Sequence, residues 1–322
     1  MKEKTKKTGG KVMIILLVIL IVILLVFMIV SYIAYKETFY SQPSGKEKNY
    51  NVSTDSKHPK HKDIRHIMEA EFAAVDSDRV YTESCDGLKL SAHIYERNPE
   101  MPIVIGFHCY RSSALYDFSG MGSYLVSQGY NLILPDHRAH ELSEGNCITF
   151  GIKERYDVLS WVRYASEYFG EDKKIILYGI SMGAASVLMA SDLDLPENVV
   201  GIIADCGFAS PEEAIRKSCD NQNLPSALFY PFVEAGAKIF GHFNLDEASA
   251  VTSVKNTKVP IILFHGKEDN TVPFSSAENI YASNPSMIEL HSFPGADHAV
   301  SYYTDEDRYK QLAETFIQKC IQ

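Results

Sequence analysis

An unbroken run of nineteen apolar residues, from Val12 to Val30, constrains this chain more than any other feature of its sequence. As a helix, the run is about 28 Å long, close to the hydrocarbon thickness of a bilayer. A helix that lies on a soluble domain keeps a polar face, and this run has none. A cleaved signal peptide has a shorter apolar stretch that ends in a small-x-small site, which Ser31 to Tyr35 does not provide. We therefore predict a transmembrane anchor over residues 12–33.

The distribution of lysines predicts the orientation of this anchor. The basic tail, residues 1–11, holds five lysines, whereas the twenty residues after the apolar run hold three. Positive residues are retained on the cytoplasmic side, so we predict a cytoplasmic N-terminus and an extracytoplasmic main domain at the cell membrane. The chain carries a net charge of −10, of which the first thirty residues contribute +4, so the remainder carries −14. Such an acidic domain excludes the usual electrostatics of nucleic-acid binding, and we expect no nucleic-acid partner.

The segment after the anchor, residues 34–62, is rich in Ser, Lys, Asn, Pro and Gly and lacks hydrophobic periodicity. It predicts a flexible linker. A folded domain over residues 63–322 follows, and it begins with a short helix near Ile64. The dipeptide Asp86-Gly87 between two strand-like runs then predicts a β-hairpin.

Beyond the hairpin, short apolar runs alternate with longer helical stretches. The predicted strands are residues 102–108, 131–135, 174–178, 199–205, 260–265 and 287–292. The predicted helices between them include residues 118–128, 153–169 and 182–191. Nearly continuous Ile, Val and Leu strands separated by helices indicate an α/β domain, with a mostly parallel central sheet covered by helices on both faces. Ligands of such sheets bind beyond the carboxyl ends of the strands.

One strand end carries the sequence Gly179-Ile180-Ser181-Met182-Gly183, and a helix follows it. This is the G-x-S-x-G pattern in its strand–turn–helix context, where the serine hydroxyl projects from a strained turn at a helix N-terminus. The glycines allow neighbouring backbone to pack closely around that turn. We predict that Ser181 is a catalytic nucleophile.

A nucleophilic serine needs a base and an acid that orients the base, and on this scaffold the chain order is Ser, acid, His. His298 is the histidine after Ser181 that occupies a loop following the last predicted strand. For the acid we favour Asp269, which follows the strand ending at His265. Asp205, at the end of another strand, and Glu268 remain alternatives.

Backbone N–H groups are expected to complete the site as an oxyanion hole. One is that of Met182, directly after the nucleophile, and the other comes from the loop after the first parallel strand. We assign the second to Tyr110, with Cys109 one position away as the alternative. Cys109, Arg111 and Phe208 are candidate substrate-pocket residues. The six cysteines show no metal-binding spacing, and we expect no metal and no cofactor.

From about residue 80 to residue 318 the chain resembles the α/β-hydrolases, in particular the bacterial serine aminopeptidase-like, prolyl-oligopeptidase-like and dienelactone-hydrolase-like group. The resemblance rests on segments 107–113, 135–140, 143–145, 179–183, 203–210, 265–269 and 294–298. The sequence departs from the usual pattern of this family at two places. Cys109 replaces the glycine usual in the oxyanion loop, and Ala139 and Glu141 stand in a stretch that usually reads Arg-Gly-His-Gly.

The predicted function is hydrolysis of an ester or related acyl bond through an acyl-enzyme. A serine peptidase and a thioesterase are alternatives, as is a membrane-tethered binding protein that has lost catalysis. Residues 211–259 form an insert whose segments 224–232 and 235–243 are apolar and aromatic, and it either covers the site as a lid or only packs on the sheet. A lid of this composition favours an acyl or aryl substrate. The expected partners are a small-molecule ester or peptide and, through residues 12–33, the lipid bilayer.

Overall fold

The structure, a computed structural model, describes residues 2–41 and 59–322. Its first element is a long helix, α1, over Lys2–Thr38. Within it, Lys11–Thr38 is long and apolar enough to cross a membrane, and its most apolar stretch has a mean hydropathy of 3.9 and is not buried against the rest of the chain. The helix therefore includes residues 12–33, over which the sequence predicts an anchor.

The end of this helix differs from the prediction of a flexible linker that begins at residue 34. The helix continues to Thr38, and Phe39 is fully buried against the domain. Tyr40 then forms an isolated antiparallel bridge with Cys147. These residues are ordered because their aromatic side chains pack on parts of the domain that are distant in sequence. Residues 42–58 of the predicted linker lie outside the described residues, and its last four belong to the next helix.

That helix, α2, covers Pro59–Ala73, and twenty further elements follow. The strands are β1 (Asp78–Glu83), β2 (Lys89–Tyr95), β3 (Ile103–Phe107), β4 (Asn131–Pro135), β5 (Ile175–Ile180), β6 (Val199–Asp205), β7 (Ile261–Gly266) and β8 (Ile288–Phe293). The helices are α3 (Ala114–Asp117), α4 (Met121–Ser127), α5 (Glu154–Phe169), α6 (Met182–Ala190), α7 (Pro211–Asn221), α8 (Ser226–Gly236), α9 (Ala250–Ser253), α10 (Phe274–Ser283), α11 (Ser301–Thr304) and α12 (Glu306–Ile321). A π-helical turn, Ala237–Gly241, continues α8, and a 3₁₀ turn, Val254–Asn256, continues α9.

The eight strands form one sheet in the order β1-β2-β4-β3-β5-β6-β7-β8. The predicted hairpin pairs β1 with β2, and its turn contains Gly87 at a positive φ of 84°. β2 is antiparallel to β4, and every later pairing is parallel. The predicted α/β fold with a mostly parallel central sheet is confirmed.

Two apolar cores lie on opposite faces of the sheet. One packs the strands against α4 and α12, with Phe118, Tyr309 and Phe316 among its large side chains. The other packs them against α5 and α6, with Trp161 and Val187 at its centre. Because both faces are covered, the central strands are apolar along their whole length, which is why the sequence predicted them.

A third apolar cluster lies beyond the carboxyl ends of the strands, between α6, the insert and the end of α1. It joins Met182 and Phe208 to Tyr230 and Val233 of α8, and to Phe39. The insert therefore packs on the helix of the nucleophile motif and on the anchor at the same time. This third cluster surrounds the position where the sequence predicts chemistry.

Candidate active site

The turn between β5 and α6 holds Ser181 in a strained conformation, with φ 56° and ψ −112°. A side chain at Gly183 would overlap the carbonyl oxygen of Phe107, and one at Gly179 would overlap the backbone of Gly183. Both glycines are thus required by close approaches of the backbone. The Ser181 N–H donates to the carbonyl oxygen of Asp205 at 2.8 Å, which ties the turn to β6.

His298 lies in the loop after β8 and contacts the serine. Its Nε2 lies 2.8 Å from the Ser181 Oγ, and its Nδ1 lies 2.8 Å from an Asp269 carboxylate oxygen. With the proton on Nδ1, the ring donates to Asp269 and accepts from the serine hydroxyl. All three side chains are at least nine-tenths shielded from solvent.

The Asp269 carboxylate is held in place by the backbone of the residues that follow it. One carboxylate oxygen accepts hydrogen bonds from the N–H groups of Thr271 and Val272, both at 2.8 Å, which leaves the other for His298. Burial alone would raise the pKa of Asp269, but the attraction of His298 and hydrogen bonds from His265 and His298 lower it well below its usual value. Asp269 is therefore charged at neutral pH and stabilises positive charge on His298.

The structure does not bring the two alternative acids to the histidine ring as hydrogen-bond partners. Asp205 accepts from the hydroxyls of Tyr309 at 3.0 Å and Ser301 at 3.3 Å, and burial raises its pKa to about 6. Glu268 accepts from the N–H of Gly295 at 2.5 Å at the surface. Asp205 lies under the nucleophile turn, where its backbone rather than its side chain contacts Ser181.

The loop after β3 is fixed by a buried ion pair that the sequence analysis missed. The Cys109 N–H donates to Asp117 at 2.7 Å, and Asp117 pairs with Arg65 of α2 at 2.9 Å. Both charged side chains are almost fully buried. Fifty-two residues separate the partners, and neither lies at a strand end, so no local pattern marks them.

This contact distinguishes between the two candidate oxyanion donors of the loop. The Cys109 N–H is already used, whereas the N–H groups of Tyr110 and Met182 have no hydrogen-bond partner among residues 2–41 and 59–322. Below the loop, the Arg111 N–H donates to His140, and the side chain of His108 accepts from the N–H of His137. The loop is therefore held on both sides of Tyr110.

The three candidate pocket residues have different surroundings. Cys109 is buried in the loop after β3, and burial raises the pKa of its thiol strongly. Phe208 lies in the third apolar cluster with Met182. The Arg111 guanidinium instead donates to the carbonyl oxygens of Glu37, at 2.8 Å, and Tyr40, so it joins the loop to the end of α1 and is not directed at Ser181.

One buried group of side chains near the site could in principle hold a metal ion. The ligand atoms of Cys206, Asp269 and His298 lie within 4.8 Å of one another. Burial raises the pKa of the Cys206 thiol strongly, so it stays protonated, whereas a metal-binding cysteine must be a thiolate. Both nitrogens of His298 already face Asp269 and Ser181. The geometry thus fits proton transfer better than metal ligation.

Comparison with known proteins gives a matching family and several related chains. The model of the prolyl oligopeptidase family matches residues 116–322. The uncharacterized protein YqkD of Bacillus subtilis is 26% identical over 190 residues, which are 59% of this chain and 62% of that protein. An α/β-hydrolase domain-containing protein of Caenorhabditis elegans, aho-3, is 27% identical over 197 residues, 60% of this chain and 46% of that protein. The matched region thus spans less than two thirds of these relatives.

Solved structures share the fold. An esterase of Pyrococcus furiosus is similar with a TM-score of 0.64 and 21% identity, over 88% of this chain and 99% of that one. A putative aryl esterase of Burkholderia cenocepacia has a TM-score of 0.56 and 18% identity, over 76% of this chain and 99% of that one.

Proposed function

This chain belongs to the prolyl oligopeptidase family of α/β-hydrolases, and from that premise we propose that it is a serine hydrolase that cleaves carboxylic esters. The observation that carries the proposal is the continuous hydrogen-bonded path from the Ser181 hydroxyl through His298 to Asp269. A serine on a strained turn with a buried, oriented histidine is the arrangement that nucleophilic catalysis needs.

In the proposed mechanism, His298 accepts the Ser181 proton at Nε2 while Oγ attacks the ester carbonyl. The negative charge that develops on the carbonyl oxygen is stabilised by the N–H groups of Met182 and Tyr110. His298 then returns the proton to the leaving alcohol, and an acyl-enzyme remains on Ser181. A water molecule, deprotonated by the same nitrogen, attacks the acyl-enzyme; the bond to Ser181 Oγ breaks, the acid leaves, and His298 returns the proton to Oγ. Asp269 stabilises the imidazolium formed in both steps.

Two observations favour an ester over a peptide. Met182 belongs to an apolar cluster that includes aromatic side chains, with Phe150 and Phe208 at 6.2 Å between ring centroids. The carboxylates beside the proposed triad, Asp205 and Asp297, both accept hydrogen bonds from the protein. A site of this kind suits an acyl or aryl group better than the amine of a peptide.

The proposal predicts that Ser181→Ala removes hydrolysis of a short p-nitrophenyl ester. Ser191→Ala, at the C-terminal end of α6, is the matched control and should retain ester hydrolysis. Rates on acyl esters and on aminoacyl amides, measured on the same preparation, separate an esterase from a peptidase. Full ester hydrolysis by Ser181→Ala would overturn the proposal. Faster cleavage of amides would instead assign the peptidase activity.

We further propose that α1 anchors this hydrolase in the cell membrane, with its N-terminus in the cytoplasm and the domain outside. The length and apolarity of Lys11–Thr38 support a span, and the lysine-rich tail supports the orientation.

A further inference from the structure

The insert carries an apolar stripe that the described part of the chain leaves uncovered. Leu228, Pro231, Ala235 and Ile239 recur every three or four residues along α8 and the π-helical turn, and we call them the outer stripe. Leu228 is 61% exposed and Ile239 is 40% exposed. Residues at this spacing lie on one side of a helix, so they form a continuous apolar surface.

The outer stripe lies next to the anchor. On the adjoining side of α8, Phe232 contacts Phe27 of α1 with ring centroids 5.1 Å apart, and Gly236 packs against the backbone of Ser31. The two helices therefore run side by side in the same direction. Phe27 lies inside the apolar run that ends at Val30, so the contact begins in the part of the anchor proposed to be in lipid.

Polar groups limit how deeply α8 can enter the lipid. Along the edge of the outer stripe that faces away from α1, Lys238 pairs with Glu234 at 2.6 Å. At the start of α8, the N–H of Ser226 donates to Asp220 at 3.0 Å. A helix with one apolar and one polar side exposes only its apolar side to lipid, and its polar side stays toward water or protein. The distribution of polar groups on α8 fits this arrangement.

The opposite side of α8 leads to the proposed catalytic site. Tyr230 and Val233 share the third apolar cluster with Met182, the residue after the proposed nucleophile. The end of α1 joins the same cluster through Tyr35, and Phe39, just after the helix, packs edge-on against Phe150, with ring centroids 5.9 Å apart. The third apolar cluster thus connects the inner side of α8 and the end of α1 with the residues around Ser181.

We propose that the outer stripe inserts into the lipid leaflet beside the anchor, and that the enzyme draws its substrate, an ester of a membrane amphiphile, from that leaflet. The leaflet is the occupant that the structure favours, because the stripe lies beside the apolar surface of α1, the proposed membrane anchor. The substrate clause rests on the proposed hydrolase function, whereas the membrane contact rests on the proposed anchor.

The contact is tested with tryptophan and brominated phospholipids on the full chain in vesicles. The native Trp161 is 1% exposed, and the parent chain therefore supplies the baseline fluorescence against which quenching is measured. Leu228→Trp should be quenched by phospholipids brominated on their acyl chains, because the residue lies one turn before Phe232, which contacts Phe27 inside the apolar run. Tyr281→Trp, at a site 38% exposed on α10, is the control and should not be quenched. Equal quenching at both sites would overturn the contact. So would a detergent-resistant dimer that protects residue 228, which would assign the stripe to a second copy.

The substrate is tested by a ratio of activities. We measure hydrolysis of p-nitrophenyl palmitate embedded in phosphatidylcholine vesicles and of p-nitrophenyl acetate in solution. Leu228→Glu with Ile239→Glu should lower the ratio of embedded to soluble activity about tenfold, since two apolar side chains leave the lipid. Tyr281→Glu should leave the ratio unchanged. An unchanged ratio in the double variant would refute the substrate clause. Absence of both activities in the parent chain would instead refute the hydrolase function.

Discussion

At the scale of single residues, the positions that carry the proposed chemistry follow from their place in the chain. Ser181, Asp269 and His298 each follow a strand, and parallel strands bring their carboxyl ends to one edge of the sheet. Arg65 and Asp117 have no such marker. Their role depends on α2 packing against α3, a contact that sequence pattern does not encode.

The buried pair of Arg65 and Asp117 should act as a positioning device for the oxyanion loop. Arg65→Met leaves the Asp117 carboxylate buried without its partner, and we expect the free energy of unfolding to fall by about 3–5 kcal/mol. The double variant Arg65→Met, Asp117→Leu removes the charge as well and should recover much of that stability. It still lacks the acceptor for the Cys109 N–H.

Enzyme kinetics of the double variant separate positioning from stability. We expect kcat to fall while KM stays close to that of the parent enzyme, because the loop N–H groups act on the transition state. Arg65→Lys keeps the charge and should retain most of kcat. Parent-like kcat in the stable double variant would contradict the positioning role.

The protonation of His298 should set the acid limb of the pH profile. Burial lowers its pKa, but the attraction of Asp269 outweighs this and the net shift is upward from 6.5. Because only neutral His298 can accept the serine proton, kcat/KM should rise with pH with a midpoint above 6.5.

Asp269→Asn checks the cause of this shift. Without the carboxylate, the midpoint should move to lower pH, and kcat should fall by about 10⁴ because the ring loses its correct tautomer. Glu268→Gln, one residue earlier, is the control and should change neither the midpoint of the pH profile nor kcat. A midpoint that is the same in Asp269→Asn and the parent enzyme would show that another group controls the limb.

At the scale of elements, the strands were predictable and the end of the anchor helix was not. Central strands buried on both faces are continuously apolar, so their sequence alone marks them. Residues 34–41 have no such pattern. They are ordered because Phe39 packs edge-on against Phe150 and Phe243, more than a hundred residues away in the chain. The polar composition that follows residue 36 therefore gave a linker boundary that is too early.

The contact between α1 and α8 should depend on the absence of a side chain at Gly236. A Cβ there would lie 2.6 Å from the carbonyl oxygen of Ser31. We expect Gly236→Leu to lower the free energy of unfolding of the full chain in detergent micelles by about 1–3 kcal/mol through overpacking. Ala235→Leu, one position away on the outer side of α8, is the control and should be close to neutral. Equal effects of both substitutions would show that the helices do not pack here.

At the scale of the whole molecule, charge and apolarity describe two parts of one chain. The basic tail and the apolar helix predict the direction through the membrane, and the acidic remainder suits a domain in water. The structure adds that the two parts are in contact, through α8 and through Arg111.

The side of the membrane on which the domain lies can be tested by labelling a native thiol. Cys85 is exposed on the domain, so a membrane-impermeant maleimide should label it in intact cells, and Cys85→Ser should lose that label. A cysteine introduced as Gly9→Cys should react only after the membrane is permeabilised. The reverse pattern, with Cys85 protected until permeabilisation, would place the domain in the cytoplasm.

The central claim is that Ser181 forms a covalent acyl-enzyme, and intact-protein mass spectrometry with a fluorophosphonate tests it most directly. We predict one adduct per chain, mapped to Ser181, absent in Ser181→Ala and formed much more slowly in His298→Ala. A correctly folded protein that gains no adduct, or gains it at another residue, would contradict the account.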